Sequence, residues 1–304
     1  MTEPLLKTLM ISGGSGLIGT SLLRSFPAER IQVVRLVRRD TNHPDEIRWD
    51  PRAAEPVDDL SHLENLGTAI HLSGANLSSR RWTAAYKQEI VESRVGTTRA
   101  LVNLLKKLKR PPRRLLCASA IGIYGDCGDR ILIESSSPGQ GFLADTCRAW
   151  EEEADHAAEA GLQVVHLRFG VVLSIEGGAL KQMLPIFRAG LGGWIGSGRQ
   201  WMSWIALSDL VRAVVHILQM DSLEGPLNLA APIPVTNGDF AHALGRTLHR
   251  PAVFPVPSFI LRAAFGEMAD AALLASTRAI PGRLAASGFH FDFPEINGAL
   301  RSIL

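Results

Sequence analysis

Glycines at positions 13, 16 and 19 span the junction between a short apolar run, Thr8 to Ser12, and a segment from Leu17 to Phe26. In that segment Leu17, Ile18, Leu22 and Leu23 fall on one helical face. No other feature constrains the fold as tightly as G-x-x-G-x-x-G at a strand-to-helix junction. The first glycine permits a tight turn, the second lets a phosphate approach the backbone, and the third lets the helix lie close on its sheet. The helix then points free N–H groups and its positive dipole end at the turn. Gly13, Ser15, Gly16, Leu17, Ile18 and Gly19 are therefore expected to hold the pyrophosphate of a dinucleotide. A glycine-rich turn without a ligand is the alternative. A nucleophile elbow is excluded, because Gly13, Gly14, Ser15 and Gly16 run on into Leu17 and do not spell G-x-S-x-G.

Further segments read as strands at 32–37, 46–49, 68–73, 114–118 and 163–169, and as helices at 83–109 and 144–160. Strands alternating with helices at this rhythm predict an α/β fold, a Rossmann-type doubly wound parallel sheet with helices on both faces. After about residue 170 the texture changes to the glycine-rich "EGGALKQMLPIFRAGLGGWIGSG", expected to form loops and a short helix. Helices are expected at 208–220 and 238–248, around the strand-like "PLNLA". The proline-punctuated "HRPAVFPVP" precedes a last helical segment from near Ser258. Residues 1–170 are thus read as a nucleotide-binding domain that takes later strands from 200–231. Residues 171–304 are read as a small C-terminal cap on the substrate side, ending in the segment 250–304.

The second strand ends "VRLVRRD". An acidic residue there takes the ribose 2′-hydroxyl of NAD, whereas arginine accommodates the 2′-phosphate of NADP. Arg38 and Arg39 fill the stretch, with Asp40 only beyond them. A forked guanidinium suits a phosphate by charge and by shape, so NADP(H) is the expected cofactor. Two solvated loop arginines are the alternative. Asp50 is a candidate for the adenine amine, and Ser73, Gly74 and Ala75 lie where a dinucleotide would cross the fourth strand.

A net charge of +2 offers no field for nucleic acid or anionic lipid as the main partner. The basic run "LKKLKRPPRR" has no interleaved aromatics for stacking bases and suits a helix C-terminus. Three cysteines, an odd number without C-x-x-C, argue against a disulfide framework and a zinc site and suit a reducing compartment. The nine histidines lack metal-ligand spacing. The first strand starts too early for a signal peptide, and no apolar run reaches the roughly 18 residues of a membrane span. A cytoplasmic monomer or homodimer acting on a small-molecule substrate is expected.

The segments "ISGGSGLIG", "AIHLSGA", "CASAIGIYG", "VVHLRFGVVLS" and "SWIALSDLVRAVVHIL" resemble the extended short-chain dehydrogenase/reductase superfamily, in its epimerase/dehydratase branch. Within it the chain is similar to the epimerase family whose members carry a short C-terminal domain of unknown function. That similarity rests on "WTAAYKQEIVESRVGTT", "GRQWMSWIALSDL" and the tail from Pro255 to Leu300. The superfamily's enzymes use Tyr-x-x-x-Lys with a Ser or Thr: tyrosine as acid/base, lysine to lower its pKa and hold the ribose, the hydroxyl to polarise the carbonyl. Matching Glu151 to the acidic residue four after that lysine puts Leu143 at the tyrosine position and Cys147 at the lysine position. The Ser/Thr position becomes Ala120, with Ser119 beside it as a cofactor contact. Tyr124, Glu134 and Cys147 are the stand-in catalytic candidates; a packed tyrosine, a loop acid and an inert thiol are the alternatives. Arg199, Trp201 and Trp204 line a substrate pocket or simply pack. The resemblance implies an NADP(H)-binding, epimerase-like oxidoreductase on a small polar, carbonyl or sugar-like substrate, without the usual triad. The alternative is a non-catalytic NADP(H)-sensing or regulatory protein.

Overall fold

The alternating pattern builds one seven-stranded parallel sheet. The structure, a computed structural model, describes residues 7–27 and 31–304; the expectation drawn from the residues before the first strand lies outside this range. The strands are β1 (Lys7–Ser12), β2 (Ile31–Val37), β3 (Glu46–Arg48), β4 (Thr68–His71), β5 (Arg114–Ala120), β6 (Gln163–Phe169) and β7 (Gly225–Leu229). Their spatial order is β3-β2-β1-β4-β5-β6-β7. The order reverses between β1 and β4, where Ser12 pairs in register with His71. A crevice outside the carboxyl ends of the strands is expected at that switch point. β4 is buried along its whole length and β5 through Ser119, as strands covered on both faces must be.

Side chains alternate across the sheet and feed two cores. Leu9 and Ile11 of β1 point to the face covered by α1 (Leu17–Ser25) and, later in the chain, Leu207–Gln219. Met10 points to the opposite face. The chain between carries α2 (Ala84–Val91), α3 (Thr97–Lys106), α4 (Phe142–Asp155) and α5 (Gly178–Arg188). α3 and α4 cover the Met10 face with Leu101, Leu105, Trp150 and Ala154. The helix Leu207–Gln219 is α6, and its Leu210, Val214 and Ile217 are fully buried against β6 and β7. Each such side chain is worth roughly 1.5–3 kcal/mol on burial.

A third core lies in the cap, where α5 meets α7 (Asn237–Leu248) around Trp204 and Phe240. After α8 (Ser258–Phe265) and α9 (Gly282–Ala286), α10 (Ile296–Ile303) closes this core with Ile296 and Leu300. The cap is tied to the segment after β5, where Arg278–Ala279 pairs in parallel with Ile131–Leu132; within the cap the Ser203 hydroxyl faces the carbonyls of Thr277 and Ala279.

One expectation needs correction. The helix read over 83–109 is interrupted by a π turn, Glu92–Gly96. The Glu92 carboxylate lies over Gly96, where an added Cβ would come within 2.0 Å of it, and Arg94 turns inward. The stretch expected to be loops and a short helix has that form: α5, 11 residues long with Pro185 inside it, followed by turns and loop. Among the described residues no helix is long and apolar enough to cross a membrane, and no group of three or more His, Cys, Asp or Glu is placed to hold a metal ion.

Candidate functional site

The glycine loop separates three glycines by purpose. Gly13 has φ +76°, and a Cβ there would lie 2.6 Å from the Leu72 carbonyl carbon. At Gly19 a Cβ would meet the Gly13 carbonyl oxygen at 2.4 Å. The fold itself therefore demands both. Gly16 is different: its φ is −76°, open to any residue, and its Cβ would approach nothing nearer than the Gly13 oxygen at 3.5 Å. Gly16 is the N-cap of α1 with no side-chain cap, and Ser15 and Gly16 are exposed. Leu17 and Ile18 are half-buried at the first turn, whose orphan N–H groups need an acceptor from outside the helix. The turn thus leaves the N-terminus of α1 open and without a side-chain cap.

Beyond β2 the two arginines part ways. Arg39 makes a bidentate pair with Glu46 at 2.9 and 2.7 Å, and Asn42 N–H donates to the same carboxylate. Those bonds hold the Glu46 carboxyl down at about 2. Arg38 is exposed and has no hydrogen-bond or ion-pair partner among the described residues. Asp50 is exposed and accepts from Arg52 N–H.

At the switch point, Ser12 Oγ lies 2.5 Å from His71 Nδ1, and Thr97 Oγ1 lies 3.5 Å from Nε2. Burial holds the His71 imidazole down at about 4, so the ring is neutral at pH 7. Its unfolded counterpart protonates near 6.5. Stability from this residue is therefore complete above pH 6.5 and lost as pH falls from there toward 4. The loss totals about 3 kcal/mol at most, at 1.36 kcal/mol per unit. Denaturant titrations at several pH values check this: His71→Gln is expected to flatten the profile across that window.

Past β4, Ser73 is half-buried and Gly74 exposed. Ala75 N–H donates to Ser93 Oγ, and the Ala75 carbonyl accepts from Arg94. Leu143 packs into an apolar cluster with Trp82, Tyr86 and Met268, the last from the C-terminal segment. Leu143 and Cys147 also stand over Gly122, where an added Cβ would meet them at 3.6 and 4.0 Å.

The three stand-in candidates are neighbours, but they are enclosed: Tyr124 and Cys147 share one apolar cluster, and Tyr124 and Glu134 share Asn228 and Arg168 as partners. Tyr124 is fully buried; its hydroxyl faces Asn228 Oδ1 at 2.8 Å and the Ile133 carbonyl at 3.1 Å, and accepts from Arg168 at 3.0 Å. Burial raises its pKa against the pull of Arg168. Glu134 is buried and accepts from the N–H groups of Asn228 and Arg283, clasping the cap to β7. Burial pushes the Cys147 thiol up to about 12, so it is not a thiolate at neutral pH. Ser119 donates to Glu151 Oε1 at 2.6 Å inside the protein. Glu151 in turn pairs with Arg168 through both oxygens, at 2.8 and 2.7 Å. Trp201 donates to Asp129 and carries Arg278 over its ring at 4.0 Å, while Trp204 is wholly buried in the cap. Trp194, Arg199, Trp201 and His242 line an open cleft of ≈ 370 Å³ in the cap.

Sequence reasoning missed His71, Arg94, Glu151, Arg168 and Asn228. Only Arg168 left a signal, a charge in the apolar run of β6; Glu151 is the first of three successive glutamates of α4, and nothing in that run marks it as the buried one.

The model of the NAD dependent epimerase/dehydratase family matches residues 9–230, and a domain of unknown function, DUF1731, matches residues 256–303. The epimerase family protein Mb2239 of Mycobacterium bovis is 43% identical over 290 residues, covering 95% of each chain. A crystal structure of the human epimerase family protein SDR39U1 (isoform 2) with NADPH superposes with a TM-score of 0.88 at 34% identity, over 97% of this chain and 98% of that one. The nucleoside-diphosphate sugar epimerase of Corynebacterium glutamicum matches with a TM-score of 0.78 at 32% identity, over 98% of this chain but 58% of the other. With its strand order, its glycine loop and its C-terminal segment all accounted for, the chain belongs to the NAD dependent epimerase/dehydratase family, among the epimerase family proteins that end in DUF1731.

Proposed function

We propose that this protein binds NADP(H) across the carboxyl ends of β1, β2 and β4 and passes hydride between it and a small carbonyl or hydroxyl-bearing substrate. The proton moves by a route other than a Tyr–Lys relay. The observation that carries the reading is Gly16: no neighbour in the fold requires glycine there, whereas a phosphate brought to the backbone does. Arg38, unpaired at the end of β2, fits a 2′-phosphate, while Arg39 is already committed to Glu46. The NADPH bound to the human relative agrees with this choice. When bound, the nicotinamide supplies or accepts a hydride at C4.

The chain's own residues set the rest. The first turn of α1 orients the pyrophosphate, Arg38 selects the 2′-phosphate, and Leu143, Trp82 and Met268 keep water from the place of the usual acid. The sequence contains two tyrosines. Tyr86 donates to the Asn76 carbonyl and Tyr124 is enclosed, so neither offers a free phenol. That observation also favours the second reading, a protein that binds NADP(H) to sense it.

Arg38→Ala is expected to weaken NADPH roughly 10- to 100-fold, the scale of a charge-assisted contact, and to leave NADH unchanged. Arg39→Ala is expected to change NADPH less. Isothermal titration with both cofactors checks this; equal losses of NADPH and NADH in Arg38→Ala would remove the 2′-phosphate assignment.

A further inference from the structure

Arg94 is a largely buried cation with no carboxylate. Its Nη2 donates to the Ala75 carbonyl at 3.0 Å and its Nη1 to the Ile90 carbonyl at 3.1 Å. An added Cβ on Gly74 would lie 3.4 Å from its Cζ. The guanidinium stacks over the Trp150 ring at 5.3 Å, and Trp150 stands one turn of α4 beyond Cys147, on the same face. None of the ion pairs among the described residues includes Arg94. Burial lowers its pKa, and Cys147 is among the groups in its field. A buried charge bonded to two carbonyls and the Ser93 hydroxyl, with no carboxylate, is costly to keep.

Its place is defined by the ends of the proposed cofactor site. With the 2′-phosphate at Arg38 and the pyrophosphate at the first turn of α1, the other half of a dinucleotide must extend past β4 and β5. Ser73–Ala75, Gly122 and Cys147 lie there, and the π turn aims Arg94 at that half. We propose that Arg94 is a cofactor-binding residue that supplies the positive charge absent at position 147, and that this charge makes the site hold NADPH more tightly than NADP⁺. The physical reason is that the oxidised nicotinamide ring carries a positive charge and the reduced ring is neutral. A cation nearby repels the first and spares the second. The proposal rests on the NADP(H) reading above.

A merely structural Arg94, tying the π turn to the loop after β4, would not distinguish the two oxidation states. The test is therefore the ratio of the NADP⁺ and NADPH dissociation constants, measured by titration calorimetry. Wild type is expected to favour NADPH by at least about tenfold. Arg94→Gln, or Arg94→Met as the apolar variant closer in volume, is expected to bring the ratio toward one, and Arg94→Lys to restore most of it. A wild-type ratio near one overturns the proposal by itself, whether or not the neutral variants fold. A preference that persists in either folded neutral variant also overturns it. Failure of wild type to bind either form would overturn the NADP(H) reading along with it.

Discussion

Gly16→Ala is expected to fold like the wild type and to lose NADPH affinity by at least about 100-fold. The backbone at Gly16 already suits alanine, and the added methyl meets only the Gly13 carbonyl at ordinary contact distance. Against a ligand the same methyl stands where a phosphate must reach the turn. Pushed outward, the pyrophosphate forfeits hydrogen bonds to the first turn of α1, each worth roughly 1.5–3 kcal/mol when one partner is charged. Two losses of that size give the expected factor. Gly13→Ala and Gly19→Ala supply the contrast. They force a Cβ to within 2.6 and 2.4 Å of backbone atoms, and Gly13 also has positive φ. Each is expected to cost about 2–4 kcal/mol of stability. Thermal unfolding and NADPH titration on the three variants separate the effects. Wild-type NADPH affinity in Gly16→Ala would contradict the phosphate cradle.

Arg168→Met is expected to destabilise the protein by about 3–5 kcal/mol, because it leaves the Glu151 carboxylate buried without its cation. Ser119 is the one other side chain bonded to that carboxylate among the described residues, and one hydroxyl does not replace a bidentate guanidinium. The same change removes a donor to Tyr124 and to the Glu134 carbonyl, so β5, β6 and α4 loosen together. Tyr124→Phe removes only a hydroxyl from this network and is expected to cost about 1–2 kcal/mol. Denaturant unfolding measures both. If Tyr124→Phe kept full stability while abolishing turnover, the tyrosine would be an acid/base group after all.

What could be read from the chain depended on distance along it. The glycine loop is local: seven residues carry both the turn at Gly13 and the close helix packing at Gly19, and both were legible. β6 was read to its bounds because its apolar run is uninterrupted except by His166 and Arg168. Arg38 and Arg39 were legible as a pair but not as two different residues. The distinction comes from Glu46, which reaches Arg39 from the neighbouring strand β3. Tyr124 looked like a cleft residue because its turn follows β5. Its partner Asn228 lies on β7, 104 positions away, and Arg168 on β6. Arg94 was hidden for a different reason. A π turn leaves the apolar periodicity of α2 and α3 almost intact while rotating one side chain inward, so the helix read as continuous and Arg94 as one more charge on it.

The most direct measurement is NADPH oxidation by the purified protein against fractionated metabolite extract, with Gly16→Ala as the blank. Hydride transfer without a Tyr–Lys relay predicts NADPH consumption in at least one fraction, abolished in the variant, and that fraction contains the substrate. Tight NADPH binding with no consumption in any fraction would contradict the enzymatic account and leave a protein that reads the cofactor without turning it over.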